Sequence, residues 1–220
     1  MLHNWALRRA VSSGGGGPPS ANQVAWFRKN TGIVGAGFCS QWTDQSGLNH
    51  HLLQATGANQ PSIPGDGTLL FDGVIQFMKC AGFTLIQPET VYLRFKQVTW
   101  TSNDFVFDGD STATGALAQR GSTPGLEIVA ANSVANNTGV AVNTYASVAC
   151  VFNGASSLIQ VNNNAPTTGD IGAGNMGGFT LGAIGANILF ANIQVAEVII
   201  YNVAHNQATR DAIIAYLNTL

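Results

Sequence analysis

The pattern that most limits how this chain can fold is a series of short stretches in which apolar and polar residues alternate. Residues 91–98, V-Y-L-R-F-K-Q-V, place Val, Leu and Phe at every second position with Tyr, Arg and Lys between them. A period of two puts the first set on one face of an extended chain and the second on the other, so the segment predicts a half-buried strand. The T-S-N-D run at 101–104 is turn chemistry, and F-V-F at 105–107 resumes as a strand, which makes a hairpin with Trp100 at its tip. Further short strands are expected over 126–130, 145–152, 157–161, 179–182 and 190–201. Glycine and asparagine clusters divide them, among them Asn162, Asn163 and Asn164. Many short strands between Gly/Asn turns predict an all-β sandwich or barrel. One helix is expected: Asn206 is a good N-cap, and Ala208, Ile213, Ile214 and Leu217 follow with helical spacing to the C-terminus. It is expected to pack across an open end of the sandwich.

Charge excludes several classes of partner. Nine Lys and Arg against eleven Asp and Glu leave a net charge of −2, with no basic face for gripping nucleic acid. No run approaches 18 apolar residues, so no membrane span is expected. The start of the chain has no apolar run of the length a secretory leader needs. Charged residues make up 9% of the sequence, against about 25% in ordinary globular proteins, so solubility rests on Asn, Thr, Ser and Gln. Such a neutral polar surface is expected of extracellular and virion proteins. The cysteines at 39, 80 and 150 are too few and too scattered for a disulfide framework or a zinc site, and are expected to be buried free thiols.

Residues 12–22 contain four consecutive glycines followed by two prolines, the composition of a linker. It separates an arm, residues 1–11, from a domain over 23–220. The arm carries apolar Leu2, Trp5 and Leu7 beside Arg8 and Arg9. Too short to fold alone, it is either a frayed terminus or a docking arm that orders against a larger body.

Candidate chemistry is sparse. Glycoside hydrolysis needs two carboxylates in defined opposition. The three glutamates, Glu89, Glu127 and Glu197, are far apart, and none has a second acid at the spacing that an E-x-D-x-x-E strand would supply. No G-x-S-x-G elbow is present. These residues predict no catalytic site and no enzyme. Asp108 and Asp110 flank a glycine and could turn two hard oxygens toward one calcium ion, although Asp-Gly is also an ordinary strand-ending turn. Calcium is the one cofactor the sequence offers a place for. Trp100, with Asn103 and Asp104 beside it, is the candidate sugar platform, against the alternative that its ring fills the edge of the sandwich. In W-T-D-Q-S-G-L-N-H-H-L-L-Q, residues 42–54, adjacent histidines on a strand point to opposite faces and cannot share a metal. His51 is expected to be hydrogen-bonded structure and His50 to be solvated.

Several pieces occur in an order that resembles one family. They are V-A-W-F at 24–27, W-T-D-Q-S-G at 42–47 with Asn49 and His51 following, L-F-D-G at 70–73, and A-E-V-I-I-Y at 196–201 leading into the terminal helix. Over 23–220 the chain is similar to laminin G-like domains of the concanavalin A-like lectin/glucanase fold. The arm and polyglycine tether resemble small structural proteins of tailed phages. The resemblance implies a jelly-roll sandwich of two antiparallel sheets used for adhesion, carbohydrate binding or protein contacts, at times with calcium; it does not imply catalysis, since function is grafted onto such folds site by site. The expectation is therefore a non-catalytic virion protein, released by host lysis. Its arm would dock on capsid or tail proteins and its sandwich would face a host-surface glycan, with a homo-oligomer as the expected state. A carbohydrate-binding module without virion attachment is the alternative, and a polysaccharide-degrading enzyme stands third.

Overall fold

The structure is a computed structural model that describes residues 17–136 and 139–220. The arm residues Leu2, Trp5, Leu7, Arg8 and Arg9 lie outside the described residues.

Two antiparallel sheets face each other. The first holds β1 (Gln23–Phe27), β5 (Leu69–Asp72), β7 (Glu89–Gln97), β12 (Ala146–Phe152), β13 (Ser157–Val161), β14 (Thr167–Gly169) and β16 (Asn192–Tyr201). The second holds β2 (Ile33–Val34), β3 (Gln41–Trp42), β4 (Leu52–Leu53), β6 (Met78–Ala81), β8 (Phe105–Asp108), β9 (Ala116–Gln119), β10 (Leu126–Val129), β11 (Ser133–Asn136) and β15 (Gly178–Leu181). The first sheet runs β1-β16-β7-β12-β13-β14, with β5 beside the other half of β16; the second runs β11-β10-β9-β8-β15-β6-β4-β3-β2. The chain is an all-β, two-sheet antiparallel sandwich with one C-terminal helix.

Alternation fills the space between the sheets. Val91, Leu93 and Phe95 of β7 and Val148, Cys150 and Phe152 of β12 meet Phe107, Leu117, Phe179 and Trp42 of the opposite sheet in one continuous core. All three cysteines are free and buried.

The helix α1 (Gln207–Leu217) begins as its sequence dictates, with the Asn206 side chain accepting from Thr209 N at 3.0 Å. It does not close an open end. It lies on the outer face of the first sheet, where Ile213, Ile214 and Leu217 cover Tyr92, Ala149, Ile199 and Tyr201. The reason is the second face of the central strands: Tyr92 and Tyr201 are too large and apolar to stay wet, and the helix removes them from water. Residues 91–98 are thus buried on both faces over their first half, not half-buried. Among the described residues no helix is long and apolar enough to cross a membrane.

The predicted hairpin is also absent. Both edges of β7 are occupied, by β12 and β16, so the chain leaves the first sheet at Val98 and enters the second at Phe105. Residues 98–104 form a crossing segment between sheets. At the N-terminal end, residues 17–22 of the expected linker lie on the sandwich: Pro18 is buried, and Tyr201 OH donates to Pro19 O at 2.9 Å.

Candidate functional site

Each feature that the sequence marks for chemistry has a structural partner set. Asp44 Oδ1 accepts from Trp26 N and Ser46 N, and its Oδ2 from Ser46 Oγ and His50 N, all within 2.7–3.0 Å. His51 Nδ1 accepts from Asp44 N at 3.2 Å. His50, expected to be solvated, is only partly so: its Nδ1 donates to Val24 O at 2.7 Å, and its ring stacks on Phe83 with centroids 4.2 Å apart. This W-T-D-Q-S-G-L-N-H-H stretch ties β1 to the second sheet.

Asp108 and Asp110 do not converge. Asp108 is fully buried, and its two oxygens accept from the backbone N–H groups of Gly109, Ala113, Thr114 and Gly185. Burial nonetheless holds its carboxyl above the ordinary range, against the opposing pull of those four donors. Asp110 turns away to pair with Lys79 at 2.8 Å. This donor set does not fit a calcium ion, which needs several free oxygens on one side. Among the described residues no group of three or more His, Cys, Asp or Glu side chains is placed to hold a metal.

Trp100, Asn103 and Asp104 share the segment that crosses between sheets. The Trp100 ring is half-buried, and its Nε1 donates to Gly125 O at 2.9 Å. Asn103 is exposed in a left-handed turn, φ 73°, with its N–H on Gln119 O. Partial burial raises the Asp104 carboxyl above its usual range. Tyr92, the other aromatic the alternation sends outward, is buried under the helix and bonded through its OH to His205 Nδ1 at 2.8 Å.

The concavity that sequence reasoning missed lies between α1 and the turn joining β13 to β14. It has a volume of about 590 Å³ and is lined by Gln160, Asn163, Asn164, Pro166, Gln207 and Asp211 together with two alanines. A cavity of this size is within the range that small ligands occupy. Gln207, Asp211 and Ala215 stand at successive four-residue steps and so form one stripe along the helix. Opposite them, the three asparagines that end β13 make the tight turn, with Asn162 itself at φ 50°. Four neutral amides, Gln160, Asn163, Asn164 and Gln207, and one carboxylate, Asp211, thus line the groove. Gln160 joins its walls: Nε2 donates to Asp211 Oδ1 at 3.0 Å and Oε1 accepts from Arg210 Nε at 2.9 Å. Arg210 is only 5% exposed and is anchored again by NH1 on His205 O at 2.8 Å. The signal for this in the sequence is a charged residue inside the apolar helical stripe 210, 213, 214, 217, which demands a buried partner.

No protein-family model and no curated protein sequence matches the chain. Solved structures of similar shape exist. A Trypanosoma rangeli sialidase in complex with sialic acid superimposes with a TM-score of 0.66 at 13% identity, over 91% of this chain and 33% of that one. The same sialidase with 2,3-difluorosialic acid gives a TM-score of 0.66 at 16% identity over 96% of this chain and 35% of that one. An α-L-arabinofuranosidase soaked with 4-nitrophenyl α-L-arabinofuranoside gives 0.65 at 12%, over 90% of this chain and 60% of that one. At such identities the likeness establishes the sandwich fold, and the chain spans about a third of the sialidase. The comparisons nevertheless correct the expectation of a non-catalytic virion protein. The sialidase and the arabinofuranosidase that share this sandwich are named as enzymes of carbohydrate processing, neither is a capsid or tail protein, and the expectation of no enzyme meets a fold that glycosidases carry.

Proposed function

We propose that this chain recognises carbohydrate in the course of glycan processing, and that the groove between α1 and the β13–β14 turn is where it does so. The observation that carries this is the groove's lining. Amide side chains donate and accept at once, as sugar hydroxyls do, and the free oxygen of a carboxylate accepts from hydroxyls. Pro166 and Ala215 offer apolar surface to the C–H face of a ring. The likeness in fold to a sialidase and an arabinofuranosidase supports the same reading. So does kinship with laminin G-like domains, which W-T-D-Q-S-G at 42–47 suggests.

Hydrolysis by this chain is a second reading, favoured by the glycosidases that share its fold. The groove brings one carboxylate, Asp211, where the two-carboxylate mechanism needs a pair. A second acid would have to reach Asp211 from outside the groove.

Titration calorimetry against soluble oligosaccharides tests the first reading. Asp211→Ala should weaken binding about tenfold, the loss of one charge-assisted hydrogen-bonding group, and Asn163→Ala by less, the loss of a neutral one, while Trp100→Ala leaves it unchanged. Binding lost in Trp100→Ala but kept in the groove variants would move the site to the crossing segment. A panel with no binding at all would sink the reading. Release of reducing ends from the same oligosaccharides decides the second.

A further inference from the structure

We infer that the groove selects glycans bearing only hydroxyl groups and rejects those bearing carboxylates, with Asp211 as the residue that sets this preference; the inference rests on the groove being the carbohydrate site. Among the described residues Asp211 is the one charged side chain lining the groove, and no cation lines it. The cation next to Asp211 on the helix, Arg210, is buried behind the wall with its guanidinium bonded to Gln160 and to the His205 carbonyl. It therefore offers no exposed hydrogen bond to an anionic ligand.

The arrangement also fixes which way the carboxylate faces. Gln160 is 2% exposed, and its amide cannot turn over, because turning would set its N–H₂ against the guanidinium and its oxygen against the carboxylate. Asp211 Oδ1 is thus held against the wall. Among the described residues Oδ2 receives no hydrogen bond, so it is left to accept hydroxyls from the groove. A second carboxylate brought to about 4 Å would be repelled by an amount that, at solvent-like to surface dielectric, corresponds to about fivefold weaker binding or more. The groove follows the helix from Gln207 to Ala215, a length of about 12 Å at 1.5 Å per residue, which suits an oligosaccharide better than a single ring.

The test uses the full chain and two sets of probes: xylotetraose, cellotetraose and mannotetraose as neutral glycans, sialyllactose and trigalacturonate as anionic ones. The wild type should bind at least one neutral glycan at least about fivefold more tightly than either anionic one. Asp211→Asn, an exposed and nearly isosteric change, should bring the two classes within about twofold of each other, and Asp211→Lys should reverse the order. Anionic glycans binding as tightly as neutral ones to the wild type would overturn the inference, as would a preference that persists in Asp211→Asn. In both of those outcomes glycan is still bound, which separates them from the absence of all binding that would remove the carbohydrate reading itself.

Discussion

Glu89 and Glu197 are both fully buried, both on the first sheet, and both pushed by burial above the usual carboxylate range, yet the protein treats them in opposite ways. Glu197 points outward beneath the helix. Its Oε1 accepts from Trp26 Nε1 at 2.7 Å and Tyr216 OH at 2.6 Å, and its Oε2 from Lys29 N at 3.3 Å. Glu89 points inward between the sheets, on the face it shares with Val91 and Leu93, and among the described residues neither of its oxygens has a hydrogen-bond partner. Its Oε1 lies where a methyl group on Gly115 would stand 3.4 Å away, beside Met176. A carboxylate taken out of water is tolerated if donors replace the water; without donors it keeps its proton. Glu197 follows the first course. Glu89 follows the second, and its carboxyl is pushed up to about 8.

The largest expected effect tests the unpartnered member. Because the Glu89 proton is held far more tightly in the folded chain than in the unfolded one, folding stability is full below the ordinary value of 4.5 and falls as pH rises toward about 8. The slope is on the order of 1 kcal/mol per pH unit, several kcal/mol across the window. His205 works in the opposite sense. Its burial, and then the charge of Arg210, lower its value below 6.5, so it adds stability as pH rises to that point. The interval from 6.5 to 8 is therefore where Glu89 shows most clearly. Urea midpoints across that interval should decline in the wild type and stay nearly level in Glu89→Gln. Equal slopes in the two proteins would mean that Glu89 has found a donor, and the contrast between the two glutamates would collapse.

How far these two environments can be read from the sequence differs for a physical reason. Local signals were sufficient for the elements: Asn206 marks the helix start, and the short apolar-rich run over 157–161, closed by the asparagines at 162–164, gives β13 its bounds. Pairing carries no such signal. Residues 91–98 and 105–107 are joined by turn chemistry and read as a hairpin, but they belong to different sheets because distant β12 and β16 fill both edges of β7. The face of Glu197 is likewise set by a register shift. Val195 lies opposite Phe95 but Glu197 lies opposite Arg94, so an extra residue at Ala196 moves the glutamate from the inner face, where strict alternation from Val195 would put it, to the outer one. The groove was illegible for a similar reason. Its walls are about 45 residues apart in sequence, and Asn163, Gln207 and Asp211 each read alone as ordinary exposed polar residues.

Removing the partnered member has the next largest effect. Glu197→Leu keeps volume but strands the Trp26 indole N–H and the Tyr216 hydroxyl beneath the helix. Leaving buried donors without acceptors costs about 1–3 kcal/mol, so a loss of roughly 2–3 kcal/mol is expected, read as a lower urea midpoint at unchanged slope. Glu197→Gln retains an acceptor and should lose less than half of that. A Leu variant as stable as the wild type would show that the three donors are not what holds Glu197 in place, and that both glutamates are merely neutral and buried.

The smallest effect is the most demanding test of the comparison. Glu89 and Glu197 lie on opposite faces of one sheet, Glu89 in the core between the sheets and Glu197 beneath the helix, with no hydrogen-bond partner in common. Electrostatic coupling through the sheet is the one route left between them, and at pH 6.5 Glu89 is protonated, which removes even that. Stability changes of independent sites add to within about 0.5 kcal/mol. The double variant Glu89→Gln/Glu197→Gln at pH 6.5 should therefore lose the sum of the two single losses within that margin. Above pH 8, where Glu89 is ionised, a coupling term should emerge if Glu197 is ionised as well, since two like charges then share the sheet. Non-additivity already present at pH 6.5 would show that the two faces are mechanically linked through β7 and β16, and that the sheet, not each carboxyl's own surroundings, decides how a buried acid is accommodated.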